Sequence, residues 1–220
     1  MPGMSSASMA RLPATRLPRV PCPLAGSRPD RPAYLRAPTG VLYHDFVSEV
    51  IFITGPSGAG KSTITRHLAG ALAGTWALVS QDETRNLIKA GYKDPDAPWT
   101  DATRMQWEVS ISICCDMVKR YCQAGIHCVV ELFAPPEEFG KWKQALAEVP
   151  YKLFVLLPDL EETVRRNANR ELPMPEASVR ESHEWFTQWK PGEATILDTT
   201  NCSLAESVNE IKRHLGRVAI

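Results

Sequence analysis

Apolar residues along this chain fall into short runs of two kinds. Five runs are nearly continuous and rich in β-branched side chains: Glu49-Val-Ile-Phe-Ile-Thr54, Trp76-Ala-Leu-Val-Ser80, Ile126-His-Cys-Val-Val-Glu-Leu132, Tyr151-Lys-Leu-Phe-Val-Leu-Leu157 and Thr195-Ile-Leu-Asp198. Runs of this length without alternation read as strands buried on both faces. Between them, apolar positions recur at three and four. From Thr100 to Gln123, Trp107, Ile111, Cys114, Val118 and Cys122 mark one helical face; Thr100 and Asp101 suit the start of that helix and Gly125 its end. The same reading predicts helices over Lys61–Leu72, Glu83–Ala90, Pro136–Val149, Glu176–Trp189 and Leu204–Leu215. One more opens at Asp159, which has capping-box spacing to Glu162, and carries Arg165, Arg166 and Arg170. Tyr92–Thr100, rich in Pro and Asp, reads as a loop. Strands alternating with helices predict an α/β domain with a five-stranded parallel sheet covered on both faces.

Composition changes this picture at one end. Residues 1–40 hold eight prolines, and residues 1–45 hold six Arg, no Lys, and only Asp30 and Asp45 as acids. Such a segment buries too little apolar surface to offset its ordering entropy. The expectation is a disordered tail over 1–45 and one domain over 46–220. The tail is Arg-rich and acid-poor like a transit peptide but lacks an amphipathic helix, so a plain tail or a start placed too far upstream is the preferred reading. Removing the tail's six basic and two acidic residues from the 25 of each leaves 19 against 23, a formal −4. The six cysteines form no Cys-x-x-Cys pair and no zinc spacing, so they read as buried free thiols in a reducing cytosol. No apolar run reaches the roughly 18 residues needed to span a membrane, and a cytoplasmic protein is expected.

The chemistry begins directly after the first strand. Gly55-Pro56-Ser57-Gly58-Ala59-Gly60-Lys61-Ser62-Thr63 matches G-x-x-x-x-G-K-[ST], the phosphate-binding loop, between an apolar strand and a helix. Its glycines let the backbone wrap an anion, and the helix N-terminus adds its positive dipole end. Lys61 suits the β- and γ-phosphates of ATP, and the Ser62 hydroxyl suits Mg²⁺. The chain lacks the Asn-Lys-x-Asp of GTPases and is too short for an AAA+ module with its own helical lid domain. Small-molecule and polynucleotide kinases remain.

The second strand ends at Ser80-Gln-Asp82-Glu-Thr-Arg85, where carboxyl ends of parallel strands face a ligand crevice. Asp82 is therefore a candidate to accept a hydroxyl proton, with helix capping as the structural alternative. Arg85, three residues on, is placed to hold a substrate anion. The phosphate loop, Asp82-x-x-Arg85 and Val164-Arg-Arg-Asn-Ala-Asn-Arg170 together resemble the polynucleotide-kinase-like and zeta-toxin-like P-loop kinases, over about residues 50–215. The resemblance implies a three-layer P-loop NTPase fold with strand order 2-3-1-4-5 and a kinase-type lid. It implies Asp82 as general base, Arg85 on substrate phosphate, Arg170 as the lid arginine with Arg166 one turn earlier, and Glu131 as a substrate- or water-orienting acid. It also implies Thr199, Thr200 and Asn201 near the adenine. Glu131 stands where the family has aspartate, no phosphatase domain follows as in the phage enzyme, and residues 86–107 match nothing in the family.

Smaller signals stay open at this level. Tyr92 and Trp99 line an acceptor pocket or merely pack their loop; Trp185, Phe186 and Trp189 read as core or lid packing, and His127 carries no role. The expected function is transfer of the γ-phosphoryl group of ATP to a small acceptor such as a nucleoside, sugar or nucleotide sugar. The −4 charge weighs against a long nucleic acid, which needs several Lys or Arg contacts. The alternatives are a 5′-hydroxyl polynucleotide kinase and an ATP-hydrolysing regulatory switch. Monomer and dimer are both compatible with the chain.

Overall fold

A computed structural model describes residues 48–216, apart from Glu148 and Pro191. The expected 1–45 tail, with Cys22, lies outside the described residues. Twelve elements follow in order: β1 (Val50–Thr54), α1 (Lys61–Ala71), β2 (Trp76–Ser80), α2 (Gln81–Arg85), α3 (Asp101–Gln123), β3 (His127–Glu131), α4 (Pro136–Ala145), β4 (Tyr151–Leu156), α5 (Leu160–Ala168), α6 (Glu176–Thr187), β5 (Thr195–Leu197) and α7 (Leu204–Leu215). The sheet is all parallel in the order β2-β3-β1-β4-β5. This is the expected order, with β1 central and its loop at the point where the chain changes direction.

Alternation along β1 builds the two cores. Phe52 points to one face, against Phe139, Trp142 and Tyr151 at centroid distances of 5.5, 5.9 and 5.3 Å. Ile51 and Ile53 point to the other, with Leu68 of α1 and Ile211 of α7. All of these except Tyr151 are at most 5% exposed, so removing the Phe52 ring would cost about 3–5 kcal/mol through lost transfer energy and a cavity. Cys114, Cys115 and Cys128 are buried in the first core as free thiols, as expected, whereas Cys122 and Cys202 are only partly buried.

Helix boundaries depart from expectation where local chemistry intervenes. α2 starts two residues early because the Ser80 hydroxyl accepts from Glu83 N–H at 3.3 Å. It ends at Arg85, not Ala90, as Asn86 closes the turn on the Asp82 carbonyl. α4 stops at Ala145, short of Val149, and Leu146 closes its last turn onto the Trp142 carbonyl. α6 ends at Thr187, two residues before Trp189. Only half of the capping box at α5 forms: Asp159 accepts from Glu162 N–H at 2.7 Å, but the Glu162 carboxylate is taken by Arg165 and Arg166. α5 ends at Ala168, so Arg170 stands in the turn beyond it and not on the helix. Asn167 holds that turn, exchanging hydrogen bonds with the backbone of Met174 at 2.9 and 3.2 Å. Among the described residues, no helix is long and apolar enough to cross a membrane.

Candidate active site

Parallel pairing brings the functional residues to one edge of the sheet. Ile53 of β1 and Ser80 of β2 both stand in register with Glu131 of β3, so three strand ends open side by side. The loop after β1 is shaped by two glycines with no room for a side chain. Gly55 has φ +151°, and a Cβ there would lie 2.3 Å from the Leu156 carbonyl oxygen. Gly58 has φ +92°, and its Cβ would lie 2.5 Å from the Thr163 carbonyl oxygen. Another side chain at either place would push the loop off β4 or α5 and open the cradle.

Lys61 opens α1 and curls back into the loop, donating to the carbonyls of Gly55 at 2.9 Å and Pro56 at 3.0 Å. Burial pushes its pKa down, while the carboxylates of Glu131 and Asp82 oppose that and the Arg170 guanidinium adds to it. These four charges thus share one field. The Ser62 hydroxyl donates to a carboxylate oxygen of Glu131, which is 6% exposed. A hydroxyl beside a carboxylate at the mouth of an anion cradle is a hard-oxygen donor set that fits Mg²⁺. No group of three or more His, Cys, Asp or Glu suited to a metal occurs among the described residues.

Asp82 does not cap α2; Ser80 does. The Asp82 side chain is 64% exposed and opens into a cleft of about 1220 Å³. Lys61, Ser62, Asp82, Arg85, Glu131, Arg166 and Arg170 all line this cleft, together with Ser57, Gly58, Gly60 and Thr63. Gly55, Pro56 and Ala59 lie behind it. The volume exceeds the roughly 300–1,000 Å³ usual for one small ligand and leaves space for two substrates.

The three arginines of the α5 region separate clearly. Arg165 is exposed, pairs with Glu162 at 2.6 Å, and does not line the cleft. Arg166 lines it but is also a tether: its Nε donates to Glu162 at 2.7 Å and its Nη2 to the Thr199 carbonyl at 2.7 Å. Hydrogen bonds from Arg165 and then Arg166 pull the Glu162 carboxyl down to about 2. Arg170 is exposed, lines the cleft, and makes no ion pair among the described residues. Thr199 and Thr200 accept hydrogen bonds from Arg166 through their carbonyls, and neither they nor Asn201 line the cleft.

Arg85 is the unusual member. Its side chain is 2% exposed, with Nη1 3.9 Å from Asp82 and Nη2 donating to the Lys93 carbonyl at 3.1 Å. The guanidinium lies 5.2 Å from the Tyr92 ring and 4.9 Å from the Trp107 ring, and Nε has no partner. It therefore fixes Asp82 and the 92–93 turn together. Tyr92, Trp99 and Trp185 do line the cleft, whereas Phe186 is fully buried and Trp189 nearly so. Sequence reasoning missed Phe133 and Glu138, which also line it. Phe133 sits two residues past Glu131 on the same strand end, a signal the spacing held; Glu138 gave none, because only the α3–α4 contact brings it in. His127 is structural: its ring accepts from Glu49 N–H at 2.9 Å and stacks on Trp76.

A parallel sheet in this order, with a lysine-bearing cradle after its central strand, defines a P-loop NTPase fold of the kinase type. Residues 50–189 match the AAA domain family model AAA_33, and the chain belongs to that P-loop kinase-like family. No protein of curated function matches it by sequence. Solved structures share the fold. The tunicamycin resistance protein of Deinococcus radiodurans superimposes with a TM-score of 0.59 at 17% identity, over 77% of this chain and 96% of that one. A gluconokinase from Sinorhizobium meliloti 1021 gives 0.58 at 22% identity, over 79% and 94%. The Pnkp1/Rnl/Hen1 RNA repair complex gives 0.54 at 15% identity, over 64% and 44%. At such identities the likeness is one of fold.

Proposed function

We propose that this protein is an ATP-dependent phosphotransferase that moves the γ-phosphoryl group to a hydroxyl of a small acceptor. The observation that carries this reading is Asp82: an exposed carboxylate, free of any capping duty, in the same cleft as Lys61 and Arg170. As the acceptor oxygen bonds to the γ-phosphorus, its proton passes to the Asp82 carboxylate. The bond from the γ-phosphorus to the β–γ bridging oxygen breaks, and ADP leaves with that electron pair. Lys61 and Arg170 offset charge on the oxygens in flight. Arg85 holds Asp82 in place and anchors the acceptor end through the 92–93 turn. Ser62 and Glu131 are the groups that would hold Mg²⁺, which supplies charge neutralisation between the phosphates when bound.

The small-acceptor reading rests on charge. The folded region carries −4, and of its cleft arginines Arg85 is held by Asp82 and the Lys93 carbonyl and Arg166 by Glu162 and the Thr199 carbonyl, so a polynucleotide backbone has few partners left. The test is a screen of purified protein with γ-labelled ATP against nucleosides, sugars, nucleotide sugars and 5′-hydroxyl oligonucleotides. Labelling of a small alcohol, lost in Asp82→Asn with nucleotide affinity kept, supports the proposal. An oligonucleotide labelled best at about 150 mM salt, where phosphate contacts are weakened, replaces it with end repair. ATP hydrolysis that no acceptor stimulates and a protein partner does replaces it with a regulatory switch.

A further inference from the structure

The acceptor end of the cleft gathers apolar surface that folded chains ordinarily bury. Nine large hydrophobic side chains are exposed among the described residues, and four of them, Tyr92, Trp99, Leu172 and Trp185, line this one cleft. Exposed apolar surface concentrated along one cleft marks a binding site. Its rings also form a continuous arc. Trp99 lies 5.5 Å from Trp107, Trp107 lies 6.4 Å from Phe133, and Phe133 lies 6.4 Å from Trp185, centroid to centroid. Phe133, half-buried, forms the floor, backed by Trp107, which is 5% exposed and has the Arg85 guanidinium 4.9 Å from its ring. The outer two form rims, with Trp99 46% and Trp185 40% exposed. The floor reaches the chemistry, because Phe133 stands 5.7 Å from the Lys61 ammonium. A trough with exposed rings at its rims favours a flat ring, through offset and edge-to-face contacts, over an aliphatic polyol.

Charge at the same end discriminates further. Asp94, Asp96, Glu138 and Glu181 line it, on the 92–100 loop, α4 and α6. Glu138 accepts from the Trp107 indole at 2.9 Å and pairs with Lys141 at 3.2 Å. Asp94, Asp96 and Glu181 have no ion-pair partner among the described residues. Burial, then Asp94 and Asp82, push the Asp96 carboxyl up, against the opposing pull of the Arg85 and Arg170 guanidinium groups. Arg85 lines this end too, but its charge is taken up by Asp82, the Lys93 carbonyl and two ring faces.

We propose that the acceptor is a non-anionic alcohol bearing a planar aromatic or heteroaromatic ring, seated over Phe133 between Trp99 and Trp185. The word acceptor rests on the kinase reading above; the ring-binding trough does not.

The test is calorimetric titration of the full chain, saturated with a non-hydrolysable ATP analogue, with three matched probes: phenyl β-glucoside, methyl β-glucoside and phenyl β-glucoside 6-phosphate. The expected order is phenyl glucoside about tenfold tighter than methyl glucoside, as one or two ring contacts imply, with the phosphorylated probe weaker than its parent. Trp99→Ala should erase the phenyl advantage and Trp99→Phe restore it, which separates ring recognition from shape. Asp94→Asn with Asp96→Asn should narrow the gap between phenyl glucoside and its phosphate. Equal binding of phenyl and methyl glucosides, tighter binding of the phosphate, or no binding of phenyl glucoside at 10 mM (on the order of 10 kinase-like KM values) each overturns the proposal. Ring-selective binding, with no acceptor labelled in the γ-labelled ATP screen above, removes the kinase reading and leaves the trough standing.

Discussion

The two ends of the cleft are built in opposite ways. The phosphate end is backbone: nine consecutive residues, two of them glycines pressed against the carbonyls of Leu156 and Thr163, with Lys61 folded onto carbonyls of its own loop. The acceptor end is side chain. Its rings and acids come from the 92–100 loop, α3, the end of β3, α4 and α6, and several are exposed. A phosphate chain has the same shape in every nucleotide, so rigid backbone N–H groups serve it and tolerate no variation. An acceptor differs between enzymes, so it is met by interchangeable side chains on a fixed scaffold. The contrast teaches that substitution should act on chemistry and folding at one end and on choice of ligand at the other.

The largest effects sharpen the first half of that contrast. Asp82→Asn should lower kcat by about 10²–10⁴ with nucleotide affinity kept, the scale of a lost general base. Lys61→Ala should lower kcat/KM by about 10²–10³ through lost charge stabilisation. Single-turnover rates with nucleotide titrations check both, and a collapse of ATP affinity in Asp82→Asn would move that residue to the phosphate end.

Next comes the lid turn. Arg170→Ala should cut kcat by about 10²-fold with little change in KM, because its contact strengthens as charge develops. Arg165→Ala should leave both unchanged, since Arg165 faces away from the cleft on Glu162. The reverse pattern would mean that the turn after α5 rearranges on binding.

Gly58→Ala tests whether the backbone end is as unyielding as its contacts imply. A left-handed φ and a carbonyl 2.5 Å from the new Cβ should cost about 2–4 kcal/mol of stability. Thermal melting reads this directly, and an unchanged melting temperature would show that α5 moves freely off the loop.

The smallest effect concerns the tether behind the lid. The Glu162 carboxyl is held at about 2, below its ordinary 4.5. A depressed carboxylate stabilises the fold above its ordinary value and loses that contribution as pH falls toward the folded value. Glu162→Gln should therefore melt slightly below wild type at pH 7, and the gap should close between about pH 4.5 and 2. A gap that persists at pH 2 would assign the loss to packing and not to the Arg165 and Arg166 pairs.

The chain by itself determined the architecture and the phosphate end. Five apolar runs gave five strands: the central ones are buried on both faces and need a continuous run, while the edge strands β2 and β5 keep partly exposed positions, Ile196 at 37%. The phosphate loop was legible because all of its parts are contiguous. Helix ends were less legible, since single hydrogen bonds decide where α2 starts, at Ser80, and where α2, α4 and α5 stop, at Asn86, Leu146 and Asn167. Tertiary structure alone decided that Arg166 and Arg170 face the cleft and Arg165 does not, because that turns on how α5 packs and where it ends. It alone released Asp82 from capping by giving that task to Ser80, and sealed Arg85 between Tyr92 and Trp107, residues 7 and 22 positions away in the chain. It also built the acceptor trough, whose rings span residues 99–185 and meet only when α3 and α6 close on the end of β3. Sequence periodicity reports which face of an element is buried; the neighbour that face meets is set by packing.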